Sequence, residues 1–314
     1  MNQSLRVVIF LLVILLSGCK GNQNLSNVSN SGKVNYAESP EFMFAGLHAE
    51  DDATLLRIAF LGDAEPKPLA EFPNMDAAVA HINTLAQTLP VDFVIGIGDI
   101  AHKGTVIQYE AATPVLQKLK APFYPIMGNE EHGNTIETYL NYAQKWNNKI
   151  VSPSYVINHE KLAFIFASPD YGRDFDDNGA RWIFEQIQRL APKPVVLVVH
   201  GAQQGVFPEN PEKGISNKLF IEKVISQSNL AVVISGDLHM DMDRVNHSKK
   251  IGHVHYLHIP ALERTKIPDE TKHTPMFRVM TIGKDGKVSV DTYAVGEAAP
   301  RKEHTYSFTL SLPE

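Results

Sequence analysis

Short, largely apolar runs recur at 56–61, 92–97, 123–127, 162–167, 195–199 and 230–234, each bounded by Gly, Pro, Asn, Asp, Ser or His. Runs of this length are too short for helices and predict strands buried on both faces. Between them the spacing turns helical. Apolar positions fall at Val79, Ile82, Leu85 and Ala86 within 76–88, and at Trp182, Ile183, Ile187 and Leu190 after the acidic loop 169–178. Further helices are predicted over 136–146 and 218–226, and in the region up to Lys120, restarted at Thr113-Pro114, where Thr can cap and Pro can take the first helical position. Strands at 154–158 and 162–167 face each other across His159-Glu160. The last part is all strand, with 253–259 followed by a hairpin of 276–282 and 287–294. The opening strand–helix–strand rhythm predicts an α/β fold with a parallel sheet.

The polar residues that end these strands change the picture. The first strand runs into Gly62-Asp63-Ala64-Glu65, and later ones end at Asp99, Asn129, His200, and Asp237 with His239. An Asp after a single strand is usually a turn former or a helix cap. Five strand ends in succession are different, because open α/β sheets place ligands outside the carboxyl ends of their strands. Carboxylate, amide oxygen and imidazole are ligands for divalent metals, and seven such groups are too many for one closed site. Two adjacent ions fit the count, and such pairs activate water for displacement at phosphorus.

Composition narrows the class. The chain has 314 residues, an ordinary apolar fraction and a net charge of −6. Without a basic stripe, no nucleic-acid partner is expected, and a small phosphate ester suits the charge better than a polymer. Residues 1–18 have the layout of an export signal: Arg6, an apolar run over 7–16, then Ser17 and Gly18 before Cys19. The run is far below the roughly 20 residues that span a bilayer. Leu16-Ser17-Gly18-Cys19 resembles the lipobox of bacterial lipoproteins, which implies a lipid anchor at Cys19. Lys20, in place of Asp, implies by the same resemblance the outer membrane, on its periplasmic side. With one Cys in the chain no internal disulfide can form. Residues 19–52 read as a flexible, Asn- and Ser-rich tether, 53–296 as one catalytic domain and 297–314 as a C-terminal tail.

The blocks Gly62-Asp63-Ala64-Glu65, Gly98-Asp99, Gly128-Asn129-Glu130-Glu131, His200-Gly201 and Gly236-Asp237-Leu238-His239 resemble, in order and spacing, those of the calcineurin-like metallophosphoesterases. That resemblance implies a four-layer αββα sandwich of two mixed sheets flanked by helices, with a dinuclear metal centre at the strand ends. It further implies that a metal-bridging hydroxide hydrolyses a phosphate ester, as a phosphatase or a phosphodiesterase. One ion would take Asp63, Glu65, Asp99 and His239, and the other Asp99, Asn129, His200 and Asp237. Three positions depart from the family pattern: Glu65, Asp237 and Glu130 each stand where the family has His. More oxygen donors favour manganese, with iron or magnesium as alternatives to it.

Glu130 replaces the imidazole that assists the reaction in the family, so the catalytic candidates are Asp99, Glu130 and His132, with His102 a weaker substitute. Leaving groups of low pKa would need no acid. Gly252-His253-Val254-His255 matches the family's last block literally, yet it opens an alternating strand and lacks a buried strand before it; 236–239 is preferred. Lys103 and Arg173 could hold a phosphate oxygen, and Asp241 and Asp243 could orient His239. The reading from another class is a non-catalytic metal- or phosphate-binding lipoprotein on the same fold.

Overall fold

In the computed structural model, which describes residues 34–48, 52–67 and 69–313, the apolar runs pair into two mixed sheets. In chain order the strands are β1 (Glu41–Met43), β2 (Thr54–Leu61), β3 (Phe93–Gly96), β4 (Phe123–Pro125), β5 (Tyr155–Asn158), β6 (Ala163–Ala167), β7 (Val195–Val199), β8 (Leu230–Ser235), β9 (Ser248–Ile251), β10 (Val254–His258), β11 (Met276–Gly283), β12 (Lys287–Ala294) and β13 (Tyr306–Thr309). One sheet has the order β1-β5-β6-β7-β8-β10-β9, the other β13-β12-β11-β2-β3-β4. Strands β2, β3 and β4 are parallel, as are β6, β7, β8 and β10. The hairpin β11–β12 extends the second sheet antiparallel to β2.

Strand β2 shows why these runs are apolar throughout. Leu56, Ile58 and Phe60 point into the core between the sheets, against Phe164, Val198, Ile234 and Leu257. Ala59 and Leu61 point the other way and meet Ala78, Val79 and Ile82 of helix α1 (Pro73–Leu85). Helix α2 (Val106–Leu116) lies on that same outer face through Ala112 and Leu116, while α3 (Ile136–Trp146) joins the central core through Tyr139 and Ala143. On the far side of the first sheet, Trp182, Ile183, Ile187 and Leu190 of α4 (Asp177–Leu190) cover Ile165, Val195 and Leu197. Helix, sheet, sheet, helix is the expected four-layer order.

Four expectations are corrected. Helix α2 does not restart at Pro114 but runs through it. Proline cannot donate to the helical ladder, and here the Thr113 hydroxyl donates to the Tyr109 carbonyl at 2.7 Å. The helix expected over 218–226 is centred on a π-helical turn, Phe220–Val224. Part of the expected tether is built into the body: β1 pairs with β5, Phe44 meets Phe93 edge-on, and the Leu47 amide donates to Asp92 at 2.7 Å. The expected C-terminal tail supplies β13, which pairs with β12. The signal segment, Cys19 and the tether up to residue 33 lie outside the described residues.

Candidate metal centre

The carboxyl ends of β2, β3, β4, β7 and β8 converge, and backbone hydrogen bonds tie the loops that follow them. The amides of Ala64 and Glu65 donate to the Asp99 carbonyl at 3.1 and 2.9 Å, and the Gly236 amide donates to the His200 carbonyl at 2.8 Å. Asp63 accepts from the Asp237 amide at 3.1 Å, so the first and last motifs touch across 174 residues of chain.

Side-chain direction is set by unusual backbone. Among the described residues four non-glycines have left-handed φ, and three of them are Asp99 (49°), Asp237 (71°) and His239 (49°). Such conformations cost of order 1 kcal/mol or more each and persist where the surroundings over-determine them. At Asp99 the surroundings are visible. The buried Glu131 carboxylate accepts from the amides of Asp99, Ile100, Ala101 and Gly128 at 2.7 to 3.0 Å. Asp99 Oδ1 accepts in turn from the Glu130 amide at 2.8 Å. A Cβ on Gly128 would lie 2.2 Å from Asp99 Oδ1 and 2.7 Å from His200 Cε1, so glycine there is what lets the two loops close. Glu131 was visible in the sequence only as the acid that ends the third block.

The seven expected ligands are brought together, though not as two equal sets. Ligand atoms of Asp63, Asp99 and His239 lie within 4.8 Å of one another, as do those of Asp99, His200 and Asp237. The Asn129 Oδ1 atom is 3.3 Å from His200 Nε2. Glu65 instead groups with His102 and Glu130, and its Oε1 lies 3.4 Å from His239 Nε2.

Both imidazoles aim Nε2 into the cluster. His200 Nδ1 donates to the Ile97 carbonyl at 2.8 Å and His239 Nδ1 to the Arg264 carbonyl at 3.2 Å, which turns each Nε2 toward the carboxylates. His239 Nε2 is buried and has no hydrogen-bond partner. His200 Nε2 faces oxygens of Asn129, Asp99 and Asp237 at 3.3, 3.4 and 3.6 Å. Ring nitrogens and carboxylate oxygens that face one another call for a cation between them; without metal a proton on His200 fills that role, and the donor set fits a divalent ion in its place.

The ionisation pattern reflects the same crowding. Burial and the neighbouring Asp99 and Asp237 push Asp63 up to about 7, although His200 opposes this. Burial disfavours charge on His200, but Asp99 and Asp237 outweigh it and raise the imidazole well above its usual range. At His239 burial and then Lys266 lower the pKa to about 3.

Basic residues surround the replaced positions, and of these sequence reasoning singled out only Arg173. Glu65 is held by Lys67 (2.8 Å), Arg264 (2.9 Å) and Lys266 (3.4 Å). Burial would raise its pKa, yet Lys67, His239, Lys266 and Arg264 together bring it down to about 2. Asp237 accepts from Arg173 and Lys213, each at 2.8 Å, and Arg173 also donates to Asn129 Oδ1 at 2.8 Å. Burial of Asp237 is outweighed by His200, Lys213 and Arg173, which hold it well below the usual carboxylate range.

The remaining candidates separate cleanly. His132 is turned away, its Nε2 lying 3.0 Å from the Pro169 carbonyl, because the short helical turn Glu131–Gly133 that aims Glu131 inward aims His132 elsewhere. His102 takes the place expected of it, with Nδ1 2.6 Å from Glu130 and 3.1 Å from Glu65. Lys103 meets the site through its backbone amide, which donates to Glu130 at 2.8 Å. Asp241 pairs with Arg244 and Asp243 with Arg301, so neither orients His239; the Arg264 carbonyl does. His253 contacts the Gln227 carbonyl, and His255 stacks on Phe308, on neighbours that belong to no metal-ligand group.

Two mixed sheets flanked by helices, with acids and imidazoles at the strand ends, define a class of α/β metallohydrolases. The chain belongs to the calcineurin-like phosphoesterase family, whose model matches residues 56–241. A probable glycerophosphodiester phosphodiesterase of Arcobacter nitrofigilis is 26% identical over 126 residues, which cover 39% of this chain and 45% of that protein. The chain thus spans less than half the length of that relative. A dimetal phosphatase from Danio rerio superposes with a TM-score of 0.58 at 11% identity, covering 82% of this chain and all of that one. GAP50, the anchor in the inner membrane complex of Plasmodium, gives 0.57 at 12% identity, covering 82% and 89%; at such identities the likeness is one of fold.

Proposed function

We propose that the protein is a metal-dependent phosphoesterase that hydrolyses a small phosphate ester at a dinuclear centre, with manganese the preferred metal. The observation that carries this reading is the orphaned, buried Nε2 of His239, beside a second imidazole also aimed at carboxylates. Asp63, Asp99 and His239, with Glu65 in reach, would hold one ion; Asp99, Asn129, His200 and Asp237 would hold the other. Two divalent ions held there would supply water of lowered pKa and charge to stabilise the phosphoryl oxygens.

The chain's own groups do the rest. Glu131 fixes the Asp99 loop through four amides, so the shared carboxylate is in position before any ligand arrives. Arg264 and Ile97 carbonyls fix the two imidazole tautomers. His102, hydrogen-bonded to Glu130, stands where a proton can be moved to or from a leaving group. Arg173, one third exposed at the rim, can donate to a phosphoryl oxygen.

Metal analysis combined with hydrolysis of bis- and mono-p-nitrophenyl phosphate tests the reading. Asp99→Ala is expected to lose bound metal and turnover together. Bound metal with no turnover on any ester would favour the non-catalytic reading, which the fixed cations at Glu65, Glu130 and Asp237 make a serious rival. We further propose that the protein is exported and lipid-anchored at Cys19 at the outer membrane, on the strength of the pattern over 1–19. Palmitate labelling that survives Cys19→Ala would refute the anchor.

A further inference from the structure

Five basic side chains ring the candidate centre, and each is bonded to an acid that stands where the family has histidine. Lys67, Arg264 and Lys266 sit on Glu65, with Lys67 also 3.9 Å from Glu130; Arg173 and Lys213 sit on Asp237. All five are between 22% and 34% exposed, so a ligand at the rim can reach them. Together they offset all but one of the charges of Asp63, Glu65, Asp99, Glu130, Glu131 and Asp237 when those acids are ionised. Two divalent ions would add four positive charges to a set one short of balance. As the carboxylates turn their lone pairs to metal, the ammonium and guanidinium groups lose their partners. A phosphodiester monoanion with one hydroxide leaves one positive charge uncompensated, which a second phosphoryl group would offset.

We propose that the substrate carries a phosphoric anhydride, two linked phosphates, and that Arg173 and Lys213 bind the second phosphoryl group. This rests on the phosphoesterase reading above and names its substrate class. The chemistry at position 130 points the same way. Water oxygen bonds to one phosphorus, the anhydride P–O bond breaks, and its electron pair stays on the departing phosphate, while the water protons pass to solvent. A phosphate whose second pKa is about 6 leaves without being protonated, so Glu130 in place of an imidazole costs little. On the Arg173–Lys213 side a cavity of about 470 Å³ continues outward, lined also by Tyr171, Gln204, Asn210 and Glu212. Its hydrogen-bonding walls suit the hydroxylated substituent of the second phosphate.

The test is equilibrium binding of two probes to the full-length protein loaded with manganese: AMP and α,β-methylene-ADP, which differ by one non-hydrolysable phosphonate link. The methylene probe is expected to bind at least about 30-fold tighter, as charge-assisted bonds to two basic groups allow. Arg173→Met with Lys213→Met should remove most of that preference while circular dichroism stays native. Without metal the preference should shrink, because the carboxylates then retain the basic groups. Equal binding of the two probes, in protein that hydrolyses bis-p-nitrophenyl phosphate, overturns the anhydride proposal and leaves the esterase reading intact. Preferential binding in protein that hydrolyses ADP but no ester upholds the proposal, whereas preferential binding in protein that hydrolyses neither overturns the anhydride as substrate and leaves a two-phosphate binding site. A preference unchanged in the double variant overturns the assignment to Arg173 and Lys213.

Discussion

The two halves of the ligand cluster share Asp99 but hold their replacement acids differently. Asp237 stays within reach of His200 and Asp99 although Arg173 and Lys213 pull on it. Glu65 has been drawn out of the set formed by Asp63, Asp99 and His239 and lies with His102 and Glu130. Side-chain length explains the difference. Aspartate on a left-handed backbone has few positions to choose from, whereas the extra methylene of glutamate lets three cations decide where the carboxylate rests. A histidine-to-acid change is therefore not one event but two, set by the basic residues that accompany it.

The largest effect should come from removing the acid that stayed. Asp237→Asn is expected to lower metal content from two ions toward one and turnover by about 100-fold or more, the upper range already seen for groups outside the coordination shell. Glu65→Gln should cost about tenfold or less if Glu65 belongs mainly to its cations. Atomic absorption and steady-state kinetics on both variants check this; equal losses would show that Glu65 swings back to coordinate, and the halves would be equivalent after all.

Acidity separates them next. Asp63 belongs to the first half only as a ligand candidate, and its folded pKa is raised to about 7. A carboxyl with a raised folded pKa favours the protonated fold, so its contribution is full below the unfolded value near 4 and is lost as pH rises through 7. In the presence of chelator, stability should fall by up to about 1.4 kcal/mol per pH unit across that window. Metal binding reverses the sign, because it requires the ionised form. Thermal melts at pH 5 and 8, with and without manganese, read this directly: the stabilisation by metal should be larger at pH 8.

The fold was legible because its signal is local. Each strand of the central layers announces itself within eight residues, as in Thr54–Leu61, and each strand end carries its ligand within a few positions. Strands β1 and β13 were not legible: Glu41–Met43 and Tyr306–Thr309 are edge strands with exposed alternate positions, fixed by contacts such as Phe44 on Phe93 that no neighbouring residue foretells. The same distinction runs through the site. Asp63, Asp99 and His200 were visible, but Arg264 reaches Glu65 across 199 residues and Arg173 reaches Asp237 across 64. Exposed lysines and arginines carry no pattern of their own, so Arg173 could be suspected only as a phosphate contact and not as the partner of Asp237, and Lys67, Lys213, Arg264 and Lys266 were hidden altogether.

Lys67 is the finest probe of that distinction. Its ammonium lies 2.8 Å from Glu65 Oε2, whereas Arg264 and Lys266 bond to Oε1. Replacing it by Met leaves Oε2 with His102 alone on that side, so the carboxylate becomes freer to turn toward His239. An ion pair with a partner one third exposed is worth about 0.5 to 1 kcal/mol, so Lys67→Met should tighten manganese at the first half by roughly threefold while shifting stability by less than that amount. Isothermal titration of the two metal sites measures the first and thermal melts the second. A weaker first site in the variant would mean that Lys67 supports Glu65 as a ligand instead of competing for it, and the contrast between the halves would then be one of metal preference and not of occupancy.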